Sequence, residues 1–159
     1  MNTTLTNAVP VIAGTYRDYH GGYFKILVSP EETNGAMAMI DMVLPKGVEP
    51  PLHVHQNEDE TFYVLEGKMT FGVGERQVEL GPEDALFCPR GVPHVFRIDS
   101  AQARFITLIT PGEMVNYFMD FSTPTVGDPV VKPPLGPPPA DVIELLLTTL
   151  KEKYSITLM

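Results

Sequence analysis

The stretch PPLHVHQNEDETFYVLEG, residues 50–67, places two histidines one residue apart and then three acidic side chains in a row, Glu58, Asp59 and Glu60. In an extended strand alternate side chains share a face, so His53 and His55 point the same way. Imidazole is the commonest protein metal ligand, and two neutral imidazoles with a carboxylate suit Fe, Mn, Co, Ni, Zn or Cu. The strand TFYVLE (61–66) sorts the three acids. If Glu60 faces inward, so do Phe62 and Val64, while Thr61 faces out. Asp59 then has the wrong parity. Glu58 has the right parity but falls in the loop, closer to solvent, where it holds the turn or meets water.

The surrounding sequence extends the same alternation. Short apolar runs separated by turn residues fill residues 22 to 110: YFKILV (23–28), AMAMIDMVL (36–44), MTFGV (69–73), RQVEL (76–80), ALFC (85–88), HVFRI (94–98) and RFITLIT (104–110). Gly74-Glu75 reads as a hairpin turn between two of them. Short strands at regular spacing predict a β-sandwich or barrel. His94 opens a strand in which Phe96 and Ile98 share its face and Arg97 takes the other. The predicted inside is therefore His53, His55, Glu60 and His94, with apolar neighbours.

Two motifs in this chain resemble those of the cupin superfamily. The pattern G-x5-H-x-H-x4-E-x6-G falls on Gly47, His53, His55, Glu60 and Gly67, and P-x-G-x2-H on Pro89, Gly91 and His94. The resemblance covers about residues 20 to 110. It implies an all-β fold, a double-stranded β-helix (jelly-roll) barrel, with one divalent transition metal held by His53, His55, Glu60 and His94. Two positions depart from the pattern. Glu83 precedes Asp84 where the family has glycine, and Ile98 stands where it often has asparagine. Glutamate resists positive φ, which leaves the turn before residue 85 open.

PPLHVHQNEDETFYVLEGKMTF, ITPGEMVNYF and KEKYSITL also look like segments of single-domain, quercetin dioxygenase-like bacterial cupins. That resemblance implies a dioxygenase in which Glu60 is both ligand and catalytic base for an aromatic or enolic hydroxyl substrate. A non-oxidative isomerase or lyase, or a binding protein without catalysis, shares the same fold and ligands. By parity the substrate pocket is expected to be walled by Phe62, Val64, Met69, Phe71 and Phe96, with Val73, Val78 and Leu80 on the same inner face. No lysine or arginine falls there. Arg90 is the one cation expected near the mouth, so a neutral or aromatic small molecule is the expected partner.

Bulk properties exclude other classes. Of 159 residues, 43% are hydrophobic, enough for one packed core, and the formal net charge of −9 argues against nucleic acid. No segment approaches the roughly 18 apolar residues of a membrane helix. The N-terminal MNTTLTNAVPVIAGTY has no basic start, so a cytoplasmic protein is expected, and the sequon Asn2-Thr3-Thr4 is read as unused. The single cysteine, Cys88, is read as a small buried hydrophobe, and His20 as a surface residue before the first strand.

The expected organisation is an N-terminal segment (1–21), the barrel (22–111) and a C-terminal part (112–159) packed on it. That last part holds two short helices, 112–121 and 140–154, around the proline-rich 124–139. Asp141 is the expected N-cap of the second, whose Val142, Leu146, Leu150 and Tyr154 share a face. The runs 36–44 and 104–110 are apolar on both faces. Their outer side needs cover, which a homodimer across a sheet, as the cupin resemblance implies, or the C-terminal helix would supply; the apolar pattern alone does not choose.

Overall fold

The computed structural model describes residues 15–159, so the sequon at Asn2 and most of the N-terminal stretch lie outside the described residues. Twelve strands are described. They are β1 (Arg17–Tyr19), β2 (Gly22–Val28), β3 (Ala38–Pro45), β4 (His53–His55), β5 (Asp59–Glu66), β6 (Met69–Val73), β7 (Arg76–Leu80), β8 (Ala85–Cys88), β9 (His94–Ile98), β10 (Gln102–Thr110), β11 (Thr123–Pro124) and β12 (Ile156–Leu158). They form two antiparallel sheets, ordered β11-β1-β2-β3-β10-β5-β8 and β12-β4-β9-β6-β7. This is the two-sheet architecture that the strand pattern predicts, and the jelly roll that the resemblance implies.

The parity argument holds along both central strands. Glu60, Phe62 and Val64 of β5 are buried, as are His94, Phe96 and Ile98 of β9, while Tyr63 and Arg97 face outward. Opposite them Met69 pairs with Ile98 and Phe71 with Phe96, and the fully buried Met69, Phe71 and Ile98 close one end of the barrel.

Three strands are absent from the apolar pattern. β1 lies in the RDYHGG segment expected to precede the first strand. It joins β2 through a two-residue turn in which His20 (φ 46) and Gly21 (φ 79) are both left-handed. That turn matches the twist of a hairpin, but a three-residue edge strand needs no apolar alternation. β11, of two residues, and β12, of three, are as brief and pair with β1 and β4.

Glu83 does adopt positive φ, at 74. The strain, roughly 1 kcal/mol, is held by two backbone bonds. Glu83 N–H donates to the Val64 carbonyl at 2.9 Å, and Val64 N–H to the Asp84 carbonyl at 3.0 Å. Asp84 also accepts from Gly81 N–H at 2.8 Å.

After the barrel, a 3-10 turn (Gly112–Met114) leads into helix α1 (Val115–Asp120), and α2 spans Ala140–Tyr154. The N-cap of α2 is Pro139, not Asp141, and no side chain caps it. Asp141 instead sits in the first turn, where the helix dipole favours an acid. Of the expected apolar face, Leu150 and Tyr154 are buried and Val142 is 45% exposed, so the last turns of α2 pack and the first stand off. Between the helices no regular structure follows Pro124. Lys132 N–H bonds the Gly21 carbonyl at 2.7 Å, tying this segment to the first hairpin.

Candidate metal centre

His53, His55, Glu60 and His94 converge: one ligand atom from each lies within 4.8 Å of the others, and all four residues are buried. The histidines come from one sheet and the glutamate from the other. His53 and His94 are direct partners across β4 and β9. Glu60 faces them from β5, where its own cross-strand partners are Ile109 and Cys88.

The hydrogen bonds orient the rings. His53 Nδ1 lies 2.8 Å from the Pro51 carbonyl, and His94 Nδ1 lies 3.2 Å from the Val92 carbonyl. A carbonyl only accepts, so each Nδ1 carries the proton and each Nε2 keeps its lone pair. His94 Nε2 then faces Glu60 Oε2 at 3.1 Å, and His55 Nε2 faces the same oxygen at 3.4 Å. A lone pair against a carboxylate needs a positive centre between them, a proton or a cation. This donor set fits a divalent transition metal.

The electrostatics follow. Burial alone would raise the Glu60 carboxyl, but His55, His94 and His53 outweigh it and hold it down to about 2. Burial, with His94 beside it, lowers His53 to about 4. For His55 burial acts downward too, but the charges of Glu60 and Glu58 win and its pKa is raised. Cys88 is fully buried, and burial together with nearby Glu60 pushes its thiol up to about 12, which makes it inert as the sequence suggests.

The three acids of the opening stretch separate. Asp59 turns outward and binds Arg90 at 2.8 Å. Arg90 also reaches the Thr110 carbonyl at 3.2 Å, so it is not at the cavity mouth as expected. Glu58 corrects the reading as a loop acid near solvent. It is buried, with Oε2 3.5 Å from His55 Nδ1, longer than a well-formed hydrogen bond, and neither atom has another partner among the described residues. It is placed to orient His55 as a carboxylate behind a ligand imidazole.

Beside the cluster a cavity of about 760 Å³ opens. Of the five expected wall residues, Phe62 and Phe96 border it. Val64, Met69 and Phe71 do not; they fill the closed end of the barrel. The remaining wall comes largely from outside the parity argument: Met42 and Phe105 from the larger sheet, Tyr19 and Tyr117, and a roof of Pro134–Pro138 with Ile143, Leu146 and Leu150 of α2. His20 also borders the cavity. It is half-buried, edge-on to Tyr19 at 4.2 Å, and burial lowers its pKa. Its reading as a surface residue is therefore corrected; the tight turn after β1 carries it inward. No lysine or arginine is among the lining residues.

Residues 40–109 match the family model described as "Cupin domain". Quercetin 2,3-dioxygenase of Bacillus subtilis (strain 168) is 31% identical over 105 residues, which are 66% of this chain and 30% of that enzyme. The chain thus spans less than a third of that relative's length. Tetracenomycin polyketide synthase protein TcmJ of Streptomyces glaucescens is 28% identical over 133 residues, 80% of this chain and 85% of that protein. The solved structure of KdgF from Halomonas sp. shares the fold at a TM-score of 0.56 and 20% identity, covering 64% of this chain and 91% of that one. Among the described residues no helix is long and apolar enough to cross a membrane. With two antiparallel sheets, a buried three-histidine, one-glutamate cluster between them and a matched family model, residues 40–109 form a cupin domain.

Proposed function

We infer that the protein is a metal-dependent dioxygenase acting on a neutral, aromatic or enolic hydroxyl substrate. The observation that carries this reading is a buried His53–His55–Glu60–His94 cluster opening onto an apolar cavity with no cationic side chain in its wall. No lysine or arginine stands in the described wall to pair with a carboxylate or phosphate, whereas a planar apolar molecule of about the cavity's size finds apolar and aromatic faces. A divalent metal (Fe, Mn, Ni, Co, Cu or Zn) would supply Lewis acidity toward a substrate oxygen and, where it is redox-active, electron transfer with dioxygen.

The protein's own groups narrow the substrate further. His55, His94 and His53 hold Glu60 as a carboxylate against its burial, so it is placed to accept a proton from a hydroxyl brought to the cluster. Phe62, Phe96 and Phe105 offer aromatic faces beside it and exclude water. The likeness to quercetin 2,3-dioxygenase supports the same substrate class.

A homodimer fits the outer face of the larger sheet. There Tyr63 and Phe87 are 39% and 53% exposed, beside half-buried Ile106 and Leu108.

The decisive experiment loads the protein with each metal in turn and measures oxygen uptake with flavonols and 1,3-diketones. No uptake with any pairing sinks the dioxygenase reading, and turnover under nitrogen replaces it with an isomerase or lyase. Glu60→Gln is expected to retain most of the metal and lose turnover. Full activity in that variant would remove Glu60 from the chemistry.

A further inference from the structure

Tyr19, on β1, and Tyr117, on α1, lie 98 positions apart and meet hydroxyl to hydroxyl at 3.1 Å. Aromatic neighbours hold both rings. Tyr19 stands edge-on to Phe24 and Phe118, and Tyr117 edge-on to Phe118 and Tyr154. Both are buried, and both border the cavity that contains the metal cluster. Beyond the four clustered ligands, the side-chain polar groups on this wall belong to Tyr19, Tyr117, His20, Glu49 and Thr107. Glu49 is spent, accepting from Gly47 N–H and Ile98 N–H, each at 2.8 Å.

A proton count singles out the tyrosines. Two phenols bring two O–H protons, and one is used between them. Neither hydroxyl has a further partner among the described residues. Whichever tyrosine donates, one proton is left over. Burial raises both phenols and the Glu60 carboxylate adds to it, so neither ionises at neutral pH. The pair is a permanent neutral donor on a rigid aromatic mount.

We propose that the Tyr19–Tyr117 pair is a substrate-positioning donor: it hydrogen-bonds a second oxygen of a substrate whose first oxygen sits at the histidine–glutamate cluster. This rests on the enolic or phenolic reading of the cavity and sharpens it. The substrate class becomes an apolar frame with two separated oxygen functions, not a simple phenol.

The test uses the full chain, metal-free and zinc-loaded, and two fluorescent or absorbing probes. One is 3-hydroxyflavone, which has the metal-binding hydroxyketone and unsubstituted rings. The other is quercetin, which adds hydroxyls on both rings. Tyr19→Phe and Tyr117→Phe combined are expected to weaken quercetin binding about five- to tenfold, the worth of one neutral hydrogen bond, whereas each single variant leaves one hydroxyl with its proton unspent and is expected to lose less. They should leave 3-hydroxyflavone within about twofold, with or without zinc. Zinc should strengthen both probes in every variant.

If the variants bind both probes as the wild type does, or lose both equally, the pair is packing and the proposal falls. If zinc changes nothing while the variants discriminate, the metal reading fails and the tyrosine donor stands. If neither probe binds the wild type, both fall. Thermal melting separates lost contacts from lost folding. Should the double variant not fold, the single variant that removes the hydroxyl facing the substrate reads the bond as a loss of quercetin relative to 3-hydroxyflavone.

Discussion

Strand β5 carries Glu60, Phe62 and Val64 on one face, and β9 carries His94, Phe96 and Ile98. All six are buried and, along each strand, of one parity. Yet the two ends of these strands differ completely. At the Val64 and Ile98 end, Met69 and Phe71 from β6 fill the space between the sheets. At the Glu60 and His94 end the space stays open, and its cover comes from β1, α1, α2 and the proline segment rather than from barrel strands. Alternation therefore says which side chains point inward, while the segments outside the barrel say whether that interior is a core or a site.

The sharpest test of the open end is His94→Ala, which should lower metal affinity by more than about 100-fold, beyond the usual range for groups that only support a ligand. Elemental analysis of purified protein reads it, and unchanged metal content would mean that the cluster does not bind as built. The closed end is tested by stability. Ile98→Ala removes a fully buried side chain from a packed region and should cost about 3 kcal/mol. Phe96→Leu, at the cavity wall, should cost under about 1.5 kcal/mol. Equal losses in denaturant melts would erase the distinction between core and cavity.

Acid should find the open end first. In metal-free protein His53 is lowered from 6.5 to about 4, so between these values the unfolded chain takes up a proton that the folded one refuses. Stability is then full above pH 6.5 and falls as pH drops toward 4, by about 3 kcal/mol at most from this group. Glu60, lowered from 4.5 to about 2, continues the loss over that lower window. His55 has the opposite sign, but its contribution is complete below pH 6.5 and does not reverse the trend. A pH series of melting temperatures should show this slope, and His53→Gln should flatten it between pH 6.5 and 4. A slope unchanged by that substitution would place the acid sensitivity elsewhere.

The smallest effect concerns Glu58. Glu58→Gln keeps the size and removes the charge behind His55, and metal affinity should drop about tenfold. No change would make Glu58 a buried acid without a role at the centre.

The ligand set was legible because each step is local. A spacing of two within β4, parity within β5 and β9, and fixed distances to Gly47, Gly67 and Pro89 all lie inside short windows. What was missed has a common cause. Glu58 is buried by the way β4 hands over to β5, not by anything in its neighbours in sequence. His20 is carried inward by a turn with two left-handed residues. Asp141 moved from cap to first turn because the cap lies two residues earlier, at Pro139. None of these depends on apolar periodicity, the signal on which strand reading rests.

The sequence by itself determined the barrel, its inward face and the four side chains that converge on it, since strand alternation is a property of the backbone and needs no distant partner. Only the tertiary structure decided which part of that inward face is hollow. It decided too that Glu58 stands behind His55, and that Tyr19 and Tyr117 meet across 98 residues of chain to leave one proton unspent. Those outcomes depend on how remote segments are laid over the open end of the barrel, and contacts between remote segments leave no period in a sequence.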